Sequence, residues 1–243
     1  MNPQYTNDAL QAFYARYIDE VEGAHSAERR WRRRQTKDRN LAIVERFVSP
    51  GRLLSIGSGD GLEIEVALDR GWSVQGYDVD EESARDISVR TGVPVMSGDL
   101  LEHDFERARF DCVFMDQVIE HVKDPATYLR YVRGLVRETG VVYIGTPNIG
   151  SISSRMKTLL GRTGLKRRSR GKHYDTWHHL FYFTPSALRT ILARHFAFDV
   201  LLHEGDPKTA RESGPGRRAA DRLRMRFPVL DSSQRIIVRP RPL

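Results

Sequence analysis

The sequence predicts an α/β fold, a largely parallel sheet wound with helices on both faces, and three observations carry that expectation. Short apolar runs alternate with stretches of helical period along most of the chain. The first such run, Leu53-Leu54-Ser55-Ile56, feeds a turn with glycine at 57, 59 and 61. The next, Val74-Gln75-Gly76-Tyr77-Asp78, closes on an acid. Strand, glycine turn, helix, strand and terminal acid make a nucleotide-handling βαβ start.

Taken in order, residues 7–21 read as a helix with Leu10, Phe13, Tyr14, Tyr17 and Ile18 near one side. A second helix, about 26–48, carries Arg29, Arg30, Arg32, Arg33, Arg34, Lys37 and Arg39, then regains an apolar face at Leu41, Val44 and Val48. Residues 62–70 turn helical after the glycines, and residues 81–90 follow the second strand. The third strand is Val93-Pro94-Val95-Met96, ending near Gly98-Asp99. The fourth, 110–115, leads into Asp116-Gln117-Val118-Ile119-Glu120-His121, after which Pro125 opens a helix, as proline does at an early helical position. The fifth strand, 140–146, runs into Pro147-Asn148. A basic stretch at 161–172 precedes Thr184-Pro185, a cap and first residue for a helix through Leu188, Ile191 and Leu192. Residues 195–202 give the sixth strand and 233–238 the seventh. The organisation expected is an N-terminal helical cap, 1–50, on one domain, 51–243, with a basic insertion at about 150–178.

At 243 residues the chain suits one α/β domain with additions. No apolar run approaches a membrane span, and the first thirty residues lack a signal-peptide core. The single cysteine, Cys112, lies in an apolar strand; it excludes an intramolecular disulfide framework and fits a cytoplasmic protein. The formal charge of +7 favours acidic partners without naming one. The arginine run has three readings: a solvated helix face, contact with an acceptor bearing phosphate or carboxylate, and nucleic-acid binding. The last lacks a reading module and aromatic interleaving.

The glycine turn is not a dinucleotide fingerprint, because Leu62 stands where the last glycine belongs, and no Gly-Lys-Ser/Thr closes it as a phosphate loop. Gly57-Ser58-Gly59 also lacks the G-x-S-x-G pattern of a Ser–His–acid hydrolase. Asp78, ending the second strand, stands where a carboxylate accepts ribose hydroxyls; the plainer reading is an ordinary βα turn.

From residue 53 to 198 the sequence resembles the class I S-adenosylmethionine-dependent methyltransferases, in particular the broad group of ubiquinone-biosynthesis and sugar-modifying enzymes. The resemblance rests on the glycine turn, Asp78, Asp99, the Asp116-to-Pro125 segment, Pro147-Asn148 and the His179…Phe183-Thr184 pattern. It implies a Rossmann-like, seven-stranded mixed sheet whose last strand is antiparallel, and S-adenosylmethionine as cofactor. Gly57, Ser58, Gly59 and Gly61 would pass under its methionine portion, with Asp78 at the ribose, Val79 a further cofactor contact, and Asp99 and Leu100 at the adenine; the plainer role of Asp99 is a helix N-cap or turn carboxylate. Asp116 and Gln117 would lie beside the transferring methyl. The family usually has an acid where Ser55 stands, so the polar grip at the amino-acid end is weaker here or supplied elsewhere. Tyr14, Tyr17, Asn148 and His178 would face the acceptor, with core packing the competing role of the two tyrosines.

Methyl transfer from a sulfonium needs alignment and exclusion of water, and an alcohol or phenol acceptor must also lose a proton. Histidine suits that task because its ordinary pKa lies near neutrality. His179 and His121 are the two candidates, His179 as base and His121 as the orienting residue; a structural hydrogen bond is the competing role. His173 and His178 would shape the acceptor loop, and His195 looks like a helix-end residue. Asp116 and Asn148 offer oxygen ligands, but no compact acidic motif or cysteine–histidine spacing identifies a metal, so none is expected. The function expected is methylation of a hydroxyl on a sugar, phenol or secondary metabolite, an acceptor that is anionic or carrier-linked. The alternatives are N-methylation of a similar compound, RNA methylation, and a non-catalytic cofactor-binding protein. A homodimer is left open.

Overall fold

The computed structural model describes residues 27–103, 105, 107, 109–156, 179–206, 222, 223 and 225–242. Tyr14, Tyr17, His173, His178, the 7–21 helix and the basic stretch at 161–172 lie outside them. The described elements are α1 (Ala27–Val44), β1 (Arg52–Ile56), α2 (Leu62–Asp69), β2 (Ser73–Asp78), α3 (Glu81–Thr91), β3 (Val95–Ser97), β4 (Phe110–Asp116), α4 (Pro125–Leu135), β5 (Val136–Pro147), α5 (Pro185–Thr190), β6 (Phe198–Gly205) and β7 (Ser233–Pro240).

The seven strands form one sheet in the order β3-β2-β1-β4-β5-β7-β6. β1 runs parallel to β2, with Ile56 opposite Tyr77, and β2 runs parallel to β3. β7 lies antiparallel to both β5 and β6. The α/β sheet expected from the sequence is therefore the fold, with the reversed last strand that the family resemblance implies. Near-continuous apolar runs mark the central strands: residues 140–147 of β5 are all buried, as they must be in a sheet covered on both faces.

Local chemistry sets the helix ends. The Asp80 carboxylate caps α3 by accepting from the Ser83 N–H at 2.8 Å, and Gly92 ends it in the left-handed region, φ 71°. Thr184 caps α5 by accepting from the Ala187 N–H at 3.2 Å, with Pro185 first in the helix. The sixth strand corrects the sequence expectation: it spans Phe198–Gly205, not 195–202. Helical structure continues from α5 through a π turn, Ile191–His195, whose Leu192 and the following Phe196 are buried. The apolar residues that suggested a strand start belong to the end of that turn, and Ala197, at φ 51°, redirects the chain into β6.

The chain divides into two compact units. One holds the described residues up to Phe114 together with Gly134–Val141; the other holds Met115–Arg133 and the described residues from Val142 onward. In the first unit α1 buries Asn40, Leu41, Ile43 and Val44 and lays its basic side on the acidic side of α2. Arg30 pairs with Glu65 at 2.9 Å, Arg33 with Asp60 at 2.6 Å, Lys37 with Glu63 at 2.7 Å, and Arg34 with Asp69. Arg70 returns from the end of α2 to Asp38 at 2.7 Å and to Glu45. The arginine run is thus in good part a ladder within the fold. Each exposed pair contributes under about 1 kcal/mol, but together they set the register of α1 on α2. Among the described residues no helix is long and apolar enough to cross a membrane.

Candidate functional site

In the first unit, β1 delivers the chain into a turn whose three glycines all sit at positive φ, 74° at Gly57, 56° at Gly59 and 73° at Gly61. Side-chain-bearing residues rarely hold that conformation, which explains the alternate-glycine spacing. The Gly57 and Ser58 N–H groups donate to the Tyr77 carbonyl at 2.8 and 3.2 Å, and the Gly61 N–H donates to the Ser58 carbonyl at 2.8 Å. Asp78 locks the turn from β2: one carboxylate oxygen accepts from the Gly59 N–H at 2.7 Å and the other from the Asp80 N–H at 3.1 Å. Burial pushes the Asp78 carboxyl above its ordinary range, and those two N–H groups oppose the rise. Asp78 therefore shapes the turn it was expected to serve alongside.

The other residues expected at the cofactor are placed unequally. Val79 is half-buried beside Asp78. Asp99 is exposed and caps a 3₁₀ turn, Leu100–Glu102, by accepting from the Leu101 N–H at 3.0 Å. Leu100 is 1% exposed, a core residue and not an open apolar face. The Tyr77 hydroxyl donates to the Gly98 carbonyl at 2.6 Å and steadies the same loop.

In the second unit, β4 ends at Asp116, and Gln117 follows, exposed and at φ 62°, with its N–H donating to the Gly145 carbonyl at 2.8 Å. Glu120 is 1% exposed. Its Oε2 accepts from the Thr146 hydroxyl at 3.0 Å, while its Oε1 has no hydrogen-bond partner among the described residues. The Glu120 backbone carbonyl accepts from the Leu180 and Phe181 N–H groups at 2.8 and 3.0 Å. Those two bonds dock the segment that carries His179 onto the segment that carries His121. The two imidazoles meet edge to face, centroids 4.7 Å apart, and the Tyr182 ring lies 5.9 Å from His179. His121 Nε2 stands 4.0 Å from Glu120 Oε1. Glu120, His121 and His179 each offer one ligand atom, all within 4.8 Å of one another. This donor set, a carboxylate and two imidazoles, matches borderline divalent cations; reading the sequence for Asp116 and Asn148 missed it.

Asn148, expected on the acceptor side, has its amide tied to backbone. It is fully buried, its Nδ2 donating to the Pro228 and Asp231 carbonyls at 2.7 and 3.0 Å and its Oδ1 accepting from the Gly150 N–H at 2.9 Å. With its amide satisfied by backbone, Asn148 fastens two loops. His195 is exposed at a helix end, as expected.

Burial pushes the Glu120 carboxyl up to about 8, against the opposing Thr146 hydrogen bond. The native state therefore holds this proton more tightly than the unfolded chain, where the ordinary value is 4.5. Stability from this group is complete below the unfolded value and declines as pH rises from 4.5 to about 8. Glu120→Gln is expected to leave the chemical-denaturation midpoint nearly unchanged near pH 4 and to stabilise the protein by up to about 5 kcal/mol at pH 9. Identical wild-type and variant curves at both pH values would contradict a buried, neutral Glu120.

Residues 28–202 match the model of a family described as a methyltransferase domain, and the chain belongs to that family. It is 32% identical over 143 residues to a ubiquinone biosynthesis O-methyltransferase of Aeromonas salmonicida, covering 56% of this chain and 58% of that one. It is 31% identical over 160 residues to the protein of the same name from Ruegeria pomeroyi, covering 64% of this chain and 62% of that one. In both cases the chain spans less than two thirds of the relative. Among solved structures, a SAM-dependent methyltransferase from Archaeoglobus fulgidus matches with TM-score 0.56 and 18% identity over 84% of this chain and 93% of that one. The Burkholderia thailandensis 1,6-didemethyltoxoflavin-N1-methyltransferase, solved with bound 1,6-didemethyltoxoflavin and S-adenosylhomocysteine, matches with TM-score 0.61 and 19% identity over 99% of this chain and 92% of that one. At those identities the solved structures establish the fold.

Proposed function

We propose that the chain transfers a methyl group from S-adenosylmethionine to a hydroxyl oxygen of a small molecule. The observation that carries this reading is the meeting of His121 and His179 beside the buried Glu120 carboxyl. The bound cofactor supplies a methyl already activated on sulfur. In this reading the Gly57–Gly61 turn, locked by Asp78, carries the methionine portion and Asp78 the ribose, with Asp99 toward the adenine. His179 accepts the acceptor's proton at a ring nitrogen, and His121, set beside Glu120, orients the acceptor oxygen. Positioning and proton removal are the protein's contributions, the second worth about 10²- to 10⁴-fold.

The ubiquinone relatives are O-methyltransferases by name, which supports oxygen over nitrogen. The arginine ladder supports a small acceptor over RNA, since Arg30, Arg33, Arg34 and Lys37 already face carboxylates of their own chain. A second reading follows from Glu120 Oε1 and its two imidazole neighbours: a divalent cation held there would acidify the hydroxyl directly.

Transfer from methyl-labelled S-adenosylmethionine to a metabolite extract and to unmodified cellular RNA, each digested and resolved by mass, tests the acceptor class. Label in a hydroxyl-bearing small molecule is expected; label confined to RNA would overturn the reading. RNA retention without product would not, because Lys and Arg attract nucleic acid without specificity. Repeating the assay after chelation separates the two routes to the proton. An unchanged rate favours the imidazole base, and a loss restored by a divalent cation favours the cation.

A further inference from the structure

A continuous line of polar contacts runs beneath the chemistry of the glycine turn and involves a residue that no motif marks. Lys37 on α1 and Glu63 in the first turn of α2 pair at 2.7 Å, with side chains 15% and 4% exposed. The other Glu63 oxygen accepts from the Ser55 hydroxyl on β1. Ser55 Oγ lies 3.1 Å from Ser58 Oγ; with its own proton given to Glu63, Ser55 accepts there from the Ser58 hydroxyl, which stands inside the turn with its oxygen 3.3 Å from the Tyr77 carbonyl oxygen. Ser55, Ser58 and Glu63 are all buried. Lys37 also sits over the Phe114 ring, 5.8 Å from its centroid.

Stability does not account for this arrangement. Desolvating two charges offsets most of their attraction, and well-packed apolar residues commonly do as well or better at such positions. Leu62 and Ile64, on either side of Glu63, are themselves core residues. What a carboxylate at 63 adds is direction: it accepts from Ser55 and so orders the hydroxyls of Ser55 and Ser58 under a turn whose three glycines lack side chains to order it.

We infer that Glu63 is a positioning residue for the cofactor turn, acting through Ser55 and Ser58, and that Lys37 holds it there, so that docking of α1 and binding of the cofactor are coupled. The inference rests on the reading of Gly57–Gly61 as the cofactor turn. It also says where the acid absent from position 55 is supplied: the Glu63 carboxylate reaches the Ser55 side chain from the neighbouring helix.

The test is calorimetric titration of the full chain with S-adenosylhomocysteine and with 5′-methylthioadenosine, which lacks the amino-acid portion, alongside thermal melts. Glu63→Leu is expected to weaken S-adenosylhomocysteine roughly ten- to hundredfold, the size of a lost charged hydrogen bond; its melting temperature falls because Lys37 loses this partner, and recovers when Lys37→Met is added to it. Methylthioadenosine should be affected far less. Lys37→Met should weaken S-adenosylhomocysteine too, by removing the cation that holds the Glu63 carboxylate in place. Ser55→Asp added to Glu63→Leu returns a carboxylate to the same space and should recover most of the affinity. Should Glu63→Leu not fold, Glu63→Gln removes the charge with the shape kept; its amide oxygen still accepts from Ser55, so a smaller loss in the same direction is expected. Wild-type affinity in the Glu63 variant, equal losses for both ligands, or no recovery in a folded double variant would overturn the inference. If Asp78→Ala loses affinity while Glu63→Leu does not, only this inference fails; if neither does, the cofactor-turn reading fails with it.

Discussion

Replacing His179 by glutamine is expected to slow methyl transfer in a single turnover by about 10²- to 10³-fold, with cofactor affinity unchanged. Glutamine keeps polarity and approximate size but has no nitrogen that takes a proton near neutral pH. The rise of the chemical rate with pH should flatten in the same variant, a signature that misplacement alone does not produce. His121→Gln should cost about tenfold, because its contribution is to orient the acceptor and not to take the proton. Both residues hang on two backbone bonds from Leu180 and Phe181 to the Glu120 carbonyl, so neither substitution removes the contact that brings the segments together. If both variants transfer at the wild-type rate with an unchanged pH profile on the native acceptor, the histidine-base mechanism is wrong. The pair then serves as cleft-shaping polar residues, or as ligands.

The second large effect is on binding. Asp78→Ala is expected to weaken S-adenosylmethionine on the order of a hundredfold, against less than twofold for an exposed arginine such as Arg32. Two losses combine. The carboxylate expected at the ribose disappears, and the Gly59 N–H at 2.7 Å and the Asp80 N–H at 3.1 Å lose their acceptor. Asp78→Asn keeps an oxygen acceptor for one of those donors and should fall between the two. Equal affinities for wild type and Asp78→Ala would remove Asp78 from the cofactor site.

What the sequence reveals follows from how local each constraint is. Gly57, Gly59 and Gly61 are readable because positive φ is a demand on single residues, and the alternation of apolar runs shows the strands because burial in a two-sided sheet leaves its mark residue by residue. β6 was misplaced by three residues because Phe196 is buried at the end of a helical turn, and burial alone does not distinguish turn from strand. Glu63 reads on paper as an ordinary acid at a helix start; only Lys37, brought across from another helix, makes it a buried partner of Ser55. Asn148 looks like an open polar residue after a strand, yet Pro228 and Asp231, distant in sequence, take both of its amide hydrogens. The arginine run reads as a basic surface until the acids of α2, spaced along a matching face, are laid against it. In each of these cases the missing information is the partner's position in space, which periodicity does not encode.

Titration calorimetry of the wild-type chain with S-adenosylmethionine, S-adenosylhomocysteine and NAD tests the central claim most directly. Saturable one-to-one binding of the sulfonium and of its demethylated product, with no heat from NAD, is the result predicted. Binding of NAD with none of either sulfur compound would contradict it and move the glycine turn and Asp78 to a different nucleotide chemistry.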